Sequence, residues 1–432
     1  MAADRIAAPL RMERSTLANG LPLVRQEPPA GAATFAATFF APAGWAFDRP
    51  ELAGRAVLVA ELLTGGAGRW DRAALARRLD RAAATLTSHC HPEATEVTLW
   101  GPEAHLAELL PLLADAVLRP RFDSAEIQRV RRQLLERQMR ERTQPDRRAE
   151  KELFARIFPA GHPYRETGLG SPASLARLTR AELLRFFEER YRDRGAGLAI
   201  SCREPIGPLT RRLEELLGRG GLPPAPPGPP LPRPPPPAPE PLRIEVPGGS
   251  QVEIRTGGPS IARSDPAYPA AYLANEILGG RSLLSRLFLN LREHRGLVYH
   301  AASELEAMRW GGYWTAEAAT EPRRVPRVLR LLDRETRALG RSDPTSAELD
   351  RVRESAIGSI WIDLENTASA HELAVDIAYH QLPPEYYERW PAVLRAVPAR
   401  AVREAAAEAM DPDRASTVVA GPLARPAGST AR

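Results

Sequence analysis

GGRSLLSRLFLNLREHRGLVYHAASELEAMRWGGYW, residues 279–314, is the stretch on which the reading of this chain turns. It opens on a glycine pair, Gly279 and Gly280, then carries SRLF at 285–288, LRE at 291–293 and GLVY at 296–299. A helix-like segment, PAAYLANEILGGRS, runs into the glycines. The first half of the chain holds a counterpart, LAGRAVLVAELLTGGAG, which also runs into paired glycines. Outward from these two helices the halves share a plan. Each opens with alternating strand-like sequence, LPLVRQ and ATFAATFF in the first, RIEV and QVEIR in the second. Each later carries a long polar helix with a regular apolar stripe, SAEIQRVRRQLLERQMRER and SAELDRVRESAIGSIWIDLEN, both started by a Ser-Ala-Glu capping signal. Each closes with a short connector, a helix and a terminal strand. The plan predicts a duplicated α+β domain, each copy an antiparallel sheet with helices on one face. A cleft between two copies is where a ligand is expected.

The boundary between the halves is LPPAPPGPPLPRPPPPAPEP, residues 222–241. Proline at this density removes the N–H donors that a helix or sheet needs, so the segment predicts a polyproline II spacer. Fully extended, it would span about 60 Å. The expected organisation is a first lobe over 13–221, the linker over 222–241 and a second lobe over 242–425. A length of 432 residues is ample for two cores. No apolar run reaches the 18 residues of a membrane span, and MAADRIAAPLRMERS lacks the apolar core of a signal peptide. Cys90 and Cys202 make no disulfide framework. A cytoplasmic protein without membrane contact is expected. The net charge of +5 comes almost wholly from arginine, Lys151 being the only lysine. Arginines alternate with carboxylates along helix-like segments, as on ion-paired solvated faces, so nucleic acid is not an expected partner.

The 279–314 stretch resembles the second-lobe signature of the pitrilysin/insulinase (M16, M16B-like) zinc peptidases. GHPYRETGLGSPASLARLT, residues 161–179, is similar to a first-lobe stretch of the same family, and the likeness runs from about Glu13 to about Pro422. The resemblance implies two homologous lobes of the pitrilysin/mitochondrial-processing-peptidase kind, a LuxS/metallohydrolase-like duplication. It also implies an inverted zinc motif, His-x-x-Glu-His, on a first-lobe helix. Two histidines four residues apart lie on one helical face and ligate zinc, the glutamate activates water, and a carboxylate from a later helix completes the set.

Here the matching helix is GRAVLVAELLTGGA, residues 54–67, with Gly54 and Gly66 setting the register. Val57 and Glu61 stand at the two histidine positions and Ala60 at the general-base position. The distal ligand region offers Gln128, Arg129 and Val130, flanked by Glu126 and Glu136. One carboxylate and two apolar side chains make a degenerate zinc motif, so no metal is expected in this chain. Packing of the helix accounts for Val57, Leu58, Ala60 and Leu62.

The resemblance implies a second contribution, an arginine and a tyrosine seven residues apart that bind substrate and stabilise the tetrahedral oxyanion. Arg292 and Tyr299 keep that spacing. A guanidinium and a phenol both donate hydrogen bonds to developing negative charge. The bland account is that Arg292 pairs with neighbours such as Glu293 while Tyr299 packs at a strand start. In two-chain members one subunit brings zinc and the other this pair. The resemblance therefore implies a heterodimer in which this chain, the inactive subunit, serves a zinc-bearing partner and their peptide substrate, with Zn²⁺ in the partner. The alternatives are a peptidase-fold scaffold or peptide-binding protein without catalytic role, as in core subunits of mitochondrial complexes, and a peptidase acting alone through an unrecognised site.

Three other features invite a functional reading. His89-Cys90-His91-Pro92-Glu93 sits in strand-like sequence, where His89 and His91 share a face. It reads as a polar strand whose edge can take an extended peptide, not as a metal site. His162 in Gly-His-Pro-Tyr reads as structural, shaping a turn before Pro163. The glycines of Thr64–Gly68 end a helix instead of opening one and lack Gly-Lys-Ser/Thr, so they are not a phosphate loop.

Overall fold

A computed structural model describes residues 11–423 apart from 194, 225–227, 230, 233, 235, 237–239 and 281–282. The polyproline reading of 222–241 therefore falls partly outside the described residues, and those described there form neither helix nor strand.

In the first half the strands are β1 Met12–Thr16, β2 Pro22–Gln26, β3 Thr34–Ala41, a small hairpin of β4 Gly66–Ala67 and β5 Trp70–Asp71, β6 Thr85–Cys90, β7 Thr95–Pro102 and β8 Gly197–Ser201. The helices are α1 Arg55–Leu63, α2 Arg72–Arg81, α3 Leu106–Leu118, α4 Ser124–Thr143, α5 Pro145–Ile157, α6 Pro172–Arg177, α7 Arg180–Arg190 and α8 Ile206–Leu217. In the second half β9 Leu242–Glu245 and β10 Val252–Ser260 precede α9 Tyr268–Leu278, and β11 Val298–Ala307 and β12 Gly312–Thr320 follow it. Then come α10 Val325–Arg341, α11 Ser346–Asp363, α12 Thr367–His380, α13 Tyr386–Ala396, α14 Ala399–Ala409 and β13 Ser416–Gly421.

The strand orders are β1-β2-β8-β3-β7-β6 and β11-β12-β10-β13-β9. Read from its other edge, the second sheet repeats the first from β2 onward, so the duplication expected from sequence holds strand for strand. Neither sheet is purely antiparallel, as had been expected. β8 runs parallel to β2, and β13 parallel to β9. The last strand of each half arrives from a helix, α7 or α14, and inserts between two earlier strands, β8 between β2 and β3 and β13 between β9 and β10. A helical crossover of this kind is how a chain delivers a parallel neighbour.

Helices on one face only is the second expectation that the structure corrects. Phe35, Ala37, Phe39 and Ala41 of β3 pack into one core with Leu58 and Leu62 of α1 and Leu109 and Leu113 of α3. Phe40 of the same strand, with Val24 and Ala199, packs on the opposite face against Ala374, Ile377 and Ala378 of α12. The near-continuous apolar run of β3, TFAATFFA, is what a strand covered on both faces requires.

The helix covering that second face comes from the other half of the sequence. The two compact units are 1–136, 167–229 and 357–391 in one, and 137–166, 230–356 and 392–432 in the other. α12 thus belongs to the unit of the first sheet. α5 makes the reciprocal move, packing Ala149, Leu153 and Ile157 with Val418 and Ala420 of β13. At the centre of the α12 contact His371, 2% exposed, hydrogen-bonds through both ring nitrogens, to Thr38 Oγ1 at 2.8 Å and Ser201 Oγ at 3.0 Å. Burial holds its imidazole down to about pKa 3, so it stands neutral.

The capping signal of α11 also shifts. Ser346 is its first helical residue, and Thr345 before it is the cap. Thr345 Oγ1 accepts from Glu348 N at 3.2 Å while Glu348 Oε2 accepts from Thr345 N at 3.1 Å.

Candidate functional site

The first-lobe helix α1 is held at its start by Asp48. The Asp48 carboxylate accepts from Gly54 N at 3.0 Å, Ala56 N at 3.1 Å and Arg55 Nε at 3.4 Å. Burial pushes this carboxyl up to about 7, against the pull of Arg55 and the two amides. The register glycines earn their places by backbone geometry. Gly54 has φ +95 and a Cβ there would lie 2.7 Å from Leu175 Cδ2, and Gly66 has φ +132.

Within that register Val57 is 7% exposed and Ala60 1%. Val57 belongs to the apolar core, and Ala60 lies beneath β6, its carbonyl accepting from Ser88 Oγ at 2.7 Å. Only Glu61, half-buried, carries a donor atom. Of the distal candidates, Val130 is core, Glu136 is exposed, and Glu126 accepts from Arg129 Nε at 2.6 Å. Among the described residues no three His, Cys, Asp or Glu side chains are grouped to hold a metal ion. A zinc ion needs three N, O or S ligands, and this donor set does not fit one.

The second-lobe pair is built differently. After α9 the chain forms a π-helical turn, Phe288–Glu293, in which His294 N donates to Leu289 O five residues back at 2.9 Å. Leu287 and Leu291 anchor it in the core. Arg292, next to Leu291, projects into solvent. The chain reverses at Gly296 and enters β11, the edge strand of its sheet, at Val298. Tyr299, the second residue of that strand, is 74% exposed. The Arg292 guanidinium lies 5.7 Å from the Tyr299 ring and 5.1 Å from the Phe288 ring, a cation–π arrangement that holds the two polar groups side by side. Among the described residues Arg292 forms no ion pair, with Glu293 or any other carboxylate, and most of the Tyr299 side chain is open to solvent. The pair is therefore brought together, exposed, with its donors available.

Comparison with known proteins agrees with this architecture. Residues 24–167 match the family described as insulinase (peptidase family M16), and residues 177–356 match the one described as peptidase M16 inactive domain. The chain belongs to the M16 peptidase family. An uncharacterized zinc protease of Mycobacterium tuberculosis is 26% identical, over 84% of this chain and 82% of the relative. One of Streptomyces coelicolor is 25% identical over 50% of this chain and 48% of the relative. A crystal structure described as peptidase M16 inactive domain from Pseudomonas fluorescens superposes with TM-score 0.88 at 23% identity, covering 96% of this chain and 98% of the other. A protease from Helicobacter pylori does so with TM-score 0.86 at 16% identity, covering 96% and 100%. At these identities the two structures establish the fold. Within the M16 fold the chain is thus a peptidase-like scaffold of two sheet-containing lobes, without a membrane-crossing helix among the described residues.

The remaining sequence candidates are not brought together. His89 is exposed on edge strand β6, but that strand ends at Cys90, so His91 lies in the turn, with its N donating to Ala94 O at 2.7 Å and its ring 3.7 Å from Glu96. His162 is buried in the second unit, stacked on Phe158 with ring centroids 4.3 Å apart, and its Nδ1 accepts from Tyr164 N. Burial lowers its imidazole to about pKa 4, which fits the structural role read for it. Thr64 caps the end of α1, and Gly66 enters β4. Sequence reading missed the π-helical turn and the Phe288 stack, since neither leaves a signature in residue spacing.

Proposed function

We propose that this M16 chain is the non-catalytic subunit of a two-chain zinc endopeptidase. It helps enclose a peptide and presents Arg292 and Tyr299 to the zinc site of a separate family member. The observation that carries the reading is an asymmetry. The helix at the zinc-motif position offers one donor atom set, on Glu61, with Val57 and Ala60 turned into packing, whereas Arg292 and Tyr299 stand exposed, stacked and without an ionic partner among the described residues. An arginine left without a carboxylate at a protein surface is suited to an anion supplied from elsewhere.

In the proposed complex the partner's own ligands would hold the zinc, which would supply Lewis-acid chemistry to the scissile carbonyl and the attacking water. Arg292 Nη and Tyr299 Oη then donate hydrogen bonds to the carbonyl oxygen as it takes on negative charge. Donors already in place cost no reorganisation at that moment. The π-helical turn and the strand entry fix where the two donors stand, and the cation–π stack fixes their separation.

The test is co-expression with an M16 chain that carries an intact His-x-x-Glu-His, followed by a peptide-cleavage assay. The complex is expected to form and to cleave, with Arg292→Ala lowering kcat by about 100-fold and Tyr299→Phe by about tenfold, without loss of assembly. Full activity in both variants would sink the contribution in trans and leave a peptide-binding scaffold. Stoichiometric zinc and peptidase activity in the isolated chain would refute the assignment altogether.

A further inference from the structure

The Arg292 turn is tied down from one direction by a pair that lies outside the site. Arg286, at the entry to the π-helical turn, donates from Nε to Glu348 Oε1 at 2.9 Å and from Nη2 to Glu348 Oε2 at 3.1 Å. Both side chains are largely covered, at 16% and 22% exposed. A two-point guanidinium–carboxylate bond fixes direction as well as distance. Glu348 is itself immobilised, because its carboxylate also accepts from the Thr345 backbone and hydroxyl at 3.1 Å each, in the box that starts α11. Burial alone would push the Glu348 carboxyl up, but the bonds from Arg286 and Thr345 override it and hold it at about 2. A second bond from the same helix, Arg351 Nη2 to Leu284 O at 3.0 Å, holds the backbone two residues before Arg286. Ser285 and Leu287 on either side of Arg286 are buried, and Leu289 N donates to Ser285 O at 3.0 Å, so a fixed Arg286 sets the azimuth of the turn that follows.

We propose that Arg286 and Glu348 are positioning residues of the M16 second lobe, clamping the 285–297 segment to the first turn of α11 so that Arg292 stands ready-made beside Tyr299. Neither touches substrate; they act through Arg292. The functional half of this proposal rests on the two-chain reading above, whereas its structural half does not.

The experiment joins two readouts. In the full isolated chain, amide hydrogen exchange over 285–297 is compared in wild type, Arg286→Met and Glu348→Gln, the glutamine keeping the helix cap. Exchange in the segment is expected to rise about tenfold in both variants while β10 and β12 keep their protection. In the complex with a zinc-bearing M16 chain, Arg286→Met is expected to lower kcat about tenfold with KM unchanged, and Arg286→Lys to recover part of it. Unchanged exchange over 285–297 overturns the clamp. So does raised exchange with wild-type kcat while Arg292→Ala is impaired. Raised exchange together with wild-type kcat in both Arg286→Met and Arg292→Ala keeps the clamp as a structural device and overturns the role in trans.

Discussion

Val57 and Ala60 show how thoroughly a metal helix is converted to packing. Val57 sits among core residues, and Ala60 lies against β6 with its carbonyl taken by Ser88. Rewriting the helix as Val57→His, Ala60→Glu and Glu61→His would put a carboxylate and an imidazole where a methyl and an isopropyl group now fit. Overpacking and desolvation together predict a loss of about 3 kcal/mol or more, read as a lower midpoint in urea. Zinc titration monitored by calorimetry should show no stoichiometric uptake, since of the distal carboxylates Glu126 is held by Arg129 and Arg72 and Glu136 points to solvent. Tight one-to-one zinc binding by the triple variant would show that the helix still faces a competent site. Arg292 and Tyr299 present the opposite case, side chains whose local packing is slight and whose replacement should be nearly neutral for stability. Arg292→Ala is expected to shift the urea midpoint by less than about 0.5 kcal/mol equivalent, in keeping with an exposed residue.

The exchanged helices carry the predictions at the scale of elements. α5 precedes the proline-rich stretch in sequence yet supplies core to the second unit. Leu153→Ala should therefore destabilise the unit of β10 and β13 by about 2–5 kcal/mol, and hydrogen exchange should show the loss there, leaving β3 and β7 protected. Uniform loss in the first sheet would contradict the assignment. α12 carries a pH signal. His371 stays neutral in the folded chain down to about pH 3, while an exposed imidazole protonates near 6.5. Between these values the unfolded chain binds a proton that the folded chain does not, so stability falls as pH falls, by up to about 1.4 kcal/mol per pH unit. His162 adds to the same slope and Asp48, raised to about 7, opposes it, so the difference between wild type and His371→Gln isolates the α12 histidine. The variant should lose stability at pH 7 and lose less on going to pH 5. An identical slope in both proteins would remove His371 from the account.

For the whole molecule the prediction is stoichiometric. A one-to-one complex with a zinc-bearing M16 chain should be seen by light scattering, with peptidase activity confined to the mixed species. Much of the frame behind this was legible beforehand. The paired helix-to-glycine segments announced a duplication, and the strand order bears it out. The division into contiguous lobes at 222–241 describes that sequence repeat, whereas the compact units trade α5 for α12. The apolar run of β3 carried a hint, since a strand buried on one side alternates and this one does not. Nothing in the run says which helix covers the second face.

What the sequence by itself determined is chemical identity and order: no donor at 57 or 60, an arginine and a tyrosine seven residues apart, two copies of one strand-and-helix plan. These follow from which atoms a side chain possesses and from local periodicity, neither of which needs a partner. The tertiary structure decided the rest. It paired β8 with β2 and β13 with β9 in parallel, sent α12 and α5 to each other's halves, and left Arg292 against Tyr299 with no ion pair among the described residues. Each of these depends on surfaces that meet only after distant segments fold together, and apolar periodicity reports that a face is covered without reporting by what.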